Sequence, residues 1–255
     1  MGLLCVGVFA VGQKMKTVQG EGRYSSRLVE KLPPFHSVSV RGDIDVEFLQ
    51  QPIPSVRISG PQNLVKLAHV RVEDGTLLVG FAEPTHVRGE QHLRVAVTGP
   101  RLQRVYAEQA GTFEVRGPLV GKDLSVTLVQ EGEFAADGVS MDSLNMVLSG
   151  RAEADINEIT AEKVSVVLAD RAEADLSGEA RQAQLENQGA STLDASHLHA
   201  SIVEAVLKGR GDIQTWVSKR LEAHARGGGR ILYKGAPHEL ERFGKLKKIV
   251  PDFDD

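Results

Sequence analysis

Five short stretches decide the fold: LSVTL at residues 124–128, LNMVL at 144–148, VSVVL at 164–168, AQLEN at 183–187 and VEAVL at 203–207. Their first residues are 20, 20, 19 and 20 positions apart, and the first and third residues of every stretch are apolar. Apolar residues at every second position are typical of a β-strand that buries one face. Because the spacing recurs, the sequence predicts a repeat architecture.

The size of the repeat favours strands over helices. A pair of helices would need apolar residues at i, i+3 and i+4 over about ten positions in each repeat, and the bends leave no room for that. A coil of about 20 residues with two or three short strands is the size of one rung of a parallel β-solenoid, whose rungs stack about 4.8 Å apart. Leu124, Leu144 and Val164 are therefore expected to form one ladder inside the core. A second apolar position follows each bend, at Phe113, Phe134, Ile156, Leu176, Leu193, Ile213 and Ile231.

The same alternation continues towards the N-terminus with less regularity. We therefore predict an all-β fold, a β-solenoid with rungs of about 20 residues and a less regular N-terminal β portion. The expected boundaries are a signal or anchor segment at 1–12, a polar lead-in at 13–23, a single solenoid domain at 24–245 and a tail at 246–255. Within the domain, residues 24–100 form irregular coils and residues 101–235 the regular repeats.

The apolar segment at the N-terminus indicates where in the cell the protein is located. Residues 3–11 are a continuous apolar run of about the length of a signal-peptide core, followed by small residues that a signal peptidase reads. No basic residue precedes the run, so a cleaved signal, a membrane tether and a buried strand all stay open. Cys5 is the only cysteine, which excludes an internal disulfide and a thiolate zinc cluster. We expect an exported protein of the periplasm or cell surface.

Charge and motifs exclude several function classes. Thirty basic and 34 acidic residues leave a net charge of −4, which argues against a nucleic-acid partner. No serine lies in the Gly-x-Ser-x-Gly pattern of a nucleophilic hydrolase. The glycines at 227–229 precede a strand pattern and not a helix, so they predict a tight bend and not a phosphate-binding loop. The sequence predicts no cofactor and no metal.

Four further stretches carry a resemblance to a known family. They are VSVRGDIDV at 38–46, NL at 63–64 with VEDGTL at 72–77, GRGDI at 209–213 and YKGAP at 233–237. In this order they resemble the GIN domain, a bacterial envelope family described as the head domain of autotransporter adhesins. The resemblance spans about residues 24–250. It implies a right-handed β-helical fold, export and no established catalytic residues.

The chain departs from the family pattern in two bends. Alanines stand where the family has glycines, at Ala152, Ala154, Ala172 and Ala174. Because a Cβ atom disfavours positive φ, we expect ordinary backbone angles at these alanines.

One near-exact repeat supplies the candidate site residues. RAEAD at 151–155 recurs at 171–175, which would place the side chains one rung apart. Paired carboxylates could act as general acid and base, or bind calcium; the favoured interpretation is a solvent-exposed charge ladder of little energetic weight. The candidates are Arg151, Glu153, Asp155, Arg171, Glu173 and Asp175. Trp216 is a further candidate, either to stack on a sugar or partner, or to cover the last rungs.

Weaker patterns have simple structural explanations. Two integrin-type tripeptides, at 41–43 and 210–212, fall on bends, where glycine and aspartate are the expected turn residues. His197 and His199 would share one face of a strand, but the spacing indicates no third metal ligand, and Glu204 is only a guess.

Three functions remain open at this point. The first is a non-catalytic exported solenoid that binds an envelope or extracellular ligand, a glycan or a protein, on a flat strand face. The second is a polysaccharide lyase or hydrolase that uses the repeated carboxylates. The third is a structural envelope module that self-associates, as a homo-oligomer, through its solenoid ends, because an uncovered last rung exposes unpaired backbone groups. We favour the first.

Overall fold

The protein is described from a computed structural model, which covers residues 16–89, 91–109 and 111–252. The signal or anchor segment expected at 1–12, with Cys5, lies outside the described residues. Nearly all of the chain is β-structure, with 68% of residues in strands and 4% in helices. The all-β solenoid with stacked rungs of about 20 residues is confirmed.

The elements follow one another in a simple order. The N-terminal part contains β1 (Lys16–Gln19), β2 (Tyr24–Val29), β3 (Ser37–Arg41), β4 (Ile44–Gln50), β5 (Ser55–Pro61), α1 (Gln62–Leu67), β6 (Ala68–Glu73), β7 (Thr76–Phe81), β8 (Thr85–Arg88) and β9 (Leu93–Gly99). The first regular rungs contain β10 (Arg104–Glu108), β11 (Gly111–Val115), β12 (Leu119–Val120), β13 (Asp123–Val129), β14 (Gly132–Asp137) and β15 (Val139–Leu148). Long bent strands follow as β16 (Glu153–Leu168), β17 (Glu173–Asn187), β18 (Thr192–Leu207) and β19 (Ile213–Ala225). The C-terminal part contains β20 (Ile231–Lys234), β21 (Glu239–Gly244), a 3₁₀ turn (Leu246–Lys248) and β22 (Ile249–Pro251).

The rungs are joined by parallel pairing along three ladders. Ladder A runs through β10, β13, the C-terminal parts of β15 to β19, and β21. Ladder B runs through β11, β14, the N-terminal parts of β16 to β19, β20 and β22. Ladder C is shorter and joins β12, the start of β15 and the middle of β16 to β19. Each long strand therefore bends twice and contributes to all three ladders.

Ladder A matches the predicted repeat. Leu124 pairs with Leu144, and Leu144 pairs with Val164, in register. All three side chains are fully buried, so each rung covers the apolar face of its neighbour. Full burial of one such aliphatic side chain contributes about 1.5–3 kcal/mol before conformational entropy is counted.

Ladder B distributes side-chain volume in a way that the sequence did not reveal. Phe134 lies beside Ala154, and it is Ala136, two residues further along, that lies beside Ile156. The large residue thus changes position between β14 and β16, whereas Phe113 still lies beside Phe134, and Ala154 beside Ala174. Because protein interiors are close-packed, a large side chain at one of these two positions leaves room for only a small one at the other in β14 and β16.

The same packing accounts for the alanines in the bends. Ala152, Ala154, Ala172 and Ala174 all point into the core. None of them has positive φ, and the left-handed angles of these bends lie at Gly150 and Asp170 instead. The expectation of ordinary backbone angles at the alanines is confirmed.

The N-terminal coils join the same ladders, but out of chain order. β3 lies between β7 and β10, and β4 lies between β9 and β11, all in parallel. Antiparallel strands then complete this end: β5 pairs with β9, β2 with β5, and β6 with β7. α1 connects the outer strands of the two ladders and buries Leu64 and Val65. The N-terminal end of the core is therefore closed.

Strand pairing also extends into the two segments on either side of the expected domain. Within the polar lead-in at 13–23, residues 16–19 form β1, which pairs with β8. Within the tail at 246–255, β22 pairs with β20 and buries Ile249. The physical reason is that Ile213, Ile231 and Ile249 are 18 residues apart, so Ile249 continues the interior of ladder B. No helix in the described ranges is long and apolar enough to cross a membrane.

Candidate functional sites

The acidic residues selected from the sequence lie on the outer side of ladder B. Glu153 pairs with Glu173, and Asp155 pairs with Asp175, one rung apart as the spacing predicts. Asp194 extends the aspartate column by one rung, because it pairs with Asp175. Its spacing of 19 residues from Asp175 could have identified it in the sequence, but the residues around Asp194 do not repeat the RAEAD motif.

The carboxylates of Asp155, Asp175 and Asp194 lie close enough to repel one another. Burial raises the pKa of the Asp175 carboxyl above its ordinary value, and repulsion from Asp194 and Asp155 adds to the rise. Asp155 accepts a hydrogen bond from the Asn157 amide at 3.0 Å, and Asp194 accepts one from the backbone N–H of Ser196 at 2.9 Å. Local amides therefore hold Asp155 and Asp194, while the nearby His197 partly offsets the repulsion at Asp175.

The two arginines of the repeat do not join the carboxylates. Arg151 forms an ion pair with Glu131 on the preceding bend. Arg171 forms no ion pair with any described residue. The two arginines therefore bring no cation to the Asp155–Asp175 pair, whereas His197 lies close enough to oppose the rise in the pKa of Asp175. No group of three or more His, Cys, Asp or Glu side chains in the described ranges is arranged to hold a metal ion.

Trp216 lies on the outer surface near the C-terminal end. Its ring lies 4.4 Å from the His199 ring, centroid to centroid, at an angle of 34°. Lys234 follows it in ladder B, and Trp216 is partly buried. His199 is therefore packed against an aromatic ring, whereas Glu204 lies in ladder A beside Gln184 and not with the histidines.

The outer surface of ladder A carries no charge over three rungs. In register, Ser125, Asn145 and Ser165 form one column, and Thr127, Val147 and Val167 form the next. We call these six residues the uncharged face. Val147 is 47% exposed, so the face presents both hydrogen-bonding groups and aliphatic surface to solvent.

A cleft that the sequence did not indicate lies where the N-terminal coils meet the bends. The segment around β8 folds against successive bends between ladders A and B and leaves a cavity of about 470 Å³. It is lined by Asp43, Thr85, His86, Gln109, Gln130, Glu131, Gly150 and Arg151. We call this cavity the bend cleft.

The most buried charged group of the bend cleft is Asp43. Its side chain is 15% exposed and its Oδ1 lies 2.9 Å from Nδ1 of His92. Burial raises the pKa of the Asp43 carboxyl above its ordinary value, although the nearby His92 opposes this rise. His86 and His92 come from a coil that closes on Asp43 only in the folded chain, so no spacing in the sequence could have joined them.

Both integrin-type tripeptides take part in the fold. Arg41 pairs with Glu108 at 3.3 Å, and Asp43 with His92. In the second tripeptide, Asp212 accepts hydrogen bonds from the backbone N–H of Arg230 at 2.6 Å and from its guanidinium at 2.8 Å. These contacts support the structural interpretation of the two bends.

Comparison with known proteins places the architecture in context. A family model described as "Putative auto-transporter adhesin, head GIN domain" matches residues 34–237. The sequence matches no curated protein.

Several solved structures share the fold at low sequence identity. A "putative lipid binding protein" from Parabacteroides distasonis is 20% identical with a TM-score of 0.86, and the match covers 93% of this chain and 100% of that one. A "putative adhesin" from Parabacteroides merdae is 23% identical with a TM-score of 0.83, covering 93% and 99%. A "putative adhesin" from Bacteroides fragilis is 24% identical with a TM-score of 0.71, covering 92% and 99%. At these identities the likeness concerns the fold alone.

Proposed function

The chain belongs to the GIN-domain family of auto-transporter adhesin heads, and from this premise we propose that it is an exported, non-catalytic module that binds an extended extracellular ligand. The uncharged face is the observation that carries the proposal. Export follows the family, and the apolar segment at 3–11 is its proposed signal or tether.

The uncharged face suits a long ligand better than a compact one. Its side chains recur at the rung spacing of about 4.8 Å, so a chain lying along the solenoid axis meets an uncharged side chain at each of three successive rungs. Serine and asparagine side chains both donate and accept hydrogen bonds. Val147 and Val167 add apolar contact between these groups. A glycan chain, with alternating hydroxyls and C–H faces, has the matching chemistry.

The charged surfaces to either side are less suited to this role. Ladder B presents a column of like charges, which would repel anionic polymers and must be desolvated for neutral ones. Beyond Ser165, ladder A continues through Gln184 to Glu204, so charge returns at that edge. The uncharged face is therefore the proposed contact area.

The proposal is tested by binding of the full chain to an array of purified bacterial and host glycans. We expect binding of neutral polymers by the wild-type protein and its loss in the double variant Asn145→Lys/Val147→Glu, which leaves the net charge unchanged. The matched control is Asp155→Asn/Asp175→Asn on ladder B, which should bind as the wild type does. Absence of glycan binding, or loss in the control alone, contradicts the proposal.

A polysaccharide lyase or hydrolase is the second candidate, and one observation favours it. The raised pKa of Asp175 beside Asp155 is the property of a carboxyl that retains a proton for general-acid catalysis. The ion pair of Arg151 with Glu131 counts against it. Release of reducing ends or unsaturated products from uronate polymers, lost in Asp155→Asn/Asp175→Asn, would favour an enzyme over a binding module.

Self-association through the C-terminal end is the third candidate. All six residues of β21 are exposed, and it pairs with β19 and with no other strand in the described part of the chain. Glu239 and Glu241 precede Lys245 and Lys247, so a second copy in antiparallel orientation would set acid against base. Light scattering over a concentration series should then show a dimer, weakened by Leu246→Lys; a constant monomer mass contradicts it.

A further inference from the structure

The bend cleft continues into a second hollow beside it. The neighbouring cavity, of about 270 Å³, is lined by Arg41, Gly42, Phe81, Ala82, Glu83, Pro84, Thr85, Glu108 and Gln109. The two cavities meet at Thr85 and Gln109. Together they form one elongated recess with an apolar wall, from Phe81 and Pro84, at one end and polar side chains at the other.

One position in the bends that line the recess has left-handed backbone angles, which cost free energy for most side chains. The first bend residue has left-handed φ in successive rungs, with 98° at Gly42, 79° at Gly150 and 60° at Asp170. Glycine and aspartate are among the residues that tolerate this conformation. Gln109 and Gln130 occupy the same position with φ of 77° and 71°, although a long side chain disfavours it.

These two glutamines are also the ones that line the bend cleft. Neither side-chain amide makes a hydrogen bond to another described residue. Unusual backbone angles that persist in long polar side chains are concentrated at ligand sites in proteins. Left-handed φ also occurs outside the recess, with 56° at Lys31 and 55° at Glu158. What distinguishes Gln109 and Gln130 is that their unpaired amides line one cavity.

From this geometry we propose that the bend cleft binds a single neutral or aminated sugar residue, with the Gln109 and Gln130 amides and the Asp43 carboxylate as hydrogen-bonding partners. Amides donate and accept at the same time, as vicinal hydroxyls require. Phe81 and Pro84 offer the apolar surface on which the C–H face of a sugar ring packs. This site is independent of the uncharged face.

The net negative charge of the recess favours neutral and aminated sugars over anionic ones. Four carboxylates line it, namely Asp43, Glu83, Glu108 and Glu131, against two guanidinium groups. Both guanidinium groups are already engaged, Arg41 with Glu108 and Arg151 with Glu131. Phosphorylated sugars and uronates would meet net negative charge, so they are expected to be rejected.

The test is saturation-transfer NMR and calorimetric titration of the full chain with a defined panel. The probes are glucose, galactose, mannose, N-acetylglucosamine and glucosamine, with glucuronate and glucose 6-phosphate as anionic counterparts. We expect saturable binding of at least one neutral or aminated sugar and at least tenfold weaker binding of both anions. No saturable binding in the panel, or equal binding of the anions, overturns the proposal.

The decisive variants remove the amides and relieve the backbone at the same time. Gln109→Gly/Gln130→Gly should weaken sugar binding at least tenfold, yet raise Tm by about 2–4 °C because glycine accepts the left-handed angle. A purely structural role for the glutamines predicts lower stability instead. Glu158→Gly relieves another left-handed residue, with φ of 55°, that lines neither cavity, and its sugar affinity should stay that of the wild type.

A second pair of variants separates this proposal from the proposed function. Asp43→Asn should also weaken sugar binding, whereas Asn145→Lys/Val147→Glu on the uncharged face should leave it intact. If the face variant abolishes sugar binding and Gln109→Gly/Gln130→Gly does not, the bend cleft is not the site. If the face variant loses polymer binding but keeps sugar binding, the bend cleft binds sugar independently of the uncharged face.

Discussion

The regular rungs and the N-terminal coils build the same ladders by different routes. In the regular rungs each strand lies next to the strand one repeat later, as Leu124 lies beside Leu144. In the coils the chain doubles back, so that Val38 lies between Leu77 on one side and Val105 on the other. The column of buried side chains continues through both regions without interruption. It depends on which side chains point inward and not on the order of the strands along the chain.

The two regions also offer different kinds of surface for binding. The regular rungs repeat one set of contacts and present surfaces with a fixed spacing, such as the uncharged face. The coils must carry extra segments from strand to strand, and one of these, around β8, folds against the bends and creates the bend cleft. The repeated surfaces thus lie where the chain is regular, and the bend cleft lies where the N-terminal coils meet the bends.

The largest expected effect is that of a charge inside the regular rungs. Leu144→Asp should prevent the central rungs from folding, because a buried, unpaired carboxylate adds its desolvation cost to the lost apolar contact, about 5 kcal/mol or more in total. Val147→Asp, on the exposed side of the same strand, is the control and should fold. Circular dichroism and solubility measure the outcome; a soluble Leu144→Asp protein with native-like melting contradicts the solenoid packing.

The same charge in the coils should act more locally. Leu77 is as buried as Leu144, but it lies in the outermost parallel rung of ladder A, next to β6. Because each rung contacts only its neighbours, Leu77→Asp should unfold the N-terminal coils and leave β16 to β19 protected. Hydrogen exchange resolves the two regions; equal loss of protection in both would mean that the coils and rungs fold as one unit.

A backbone contact between bends gives the next largest effect. A Cβ atom at Gly227 would lie 1.8 Å from the carbonyl oxygen of Gly209, whereas at Gly228 the nearest atom would be Cγ of Arg210 at 3.6 Å. Gly227→Ala should therefore lower the free energy of unfolding by about 3 kcal/mol, and Gly228→Ala by less than about 0.5 kcal/mol. Urea denaturation compares the two; similar values would show that the bends stack less closely.

A buried hydroxyl in ladder B is expected to reduce stability slightly. Thr215 is fully buried between Ala195 and Tyr233, and its Oγ1 has no hydrogen-bond partner among the described residues. Thr215→Val keeps the shape and removes the unsatisfied group, so it should raise the free energy of unfolding by about 1 kcal/mol. Thr215→Ser, which keeps the hydroxyl, is the control and should give no such gain.

The smallest effect concerns the pH dependence of the aspartate column. Because the pKa of Asp175 is raised in the folded protein, its protonated form favours folding at acidic pH. That contribution is lost as pH rises through the folded pKa. Asp175→Asn should therefore be more stable than the wild type at pH 7, by less than about 1 kcal/mol given its exposure. The difference should vanish near pH 3, and a constant difference across this range would exclude the electrostatic cause.

Several features were predictable because they depend on local pattern. The register of Leu124, Leu144 and Val164 follows from a constant repeat length, and the outward carboxylates at Asp155 and Asp175 follow from the same count. The pairing of Phe134 with Ala154 was not predictable from alternation, since alternation marks which side chains point inward but not how their volumes are shared. Ile249 carried a usable signal in its 18-residue spacing, which the surrounding basic residues obscured.

The sequence by itself determined the class of fold, the length of a rung and the inward face of nearly every regular strand. These are properties of short segments, where the period of apolar residues decides which side is buried. Only the tertiary structure decided that β7 and β9 lie outside β3 and β4, that His92 reaches Asp43, and that Gln109 and Gln130 face a common cleft. Contacts of this kind join segments far apart in the chain, and they arise from how the coils close the end of the core, which no local period records.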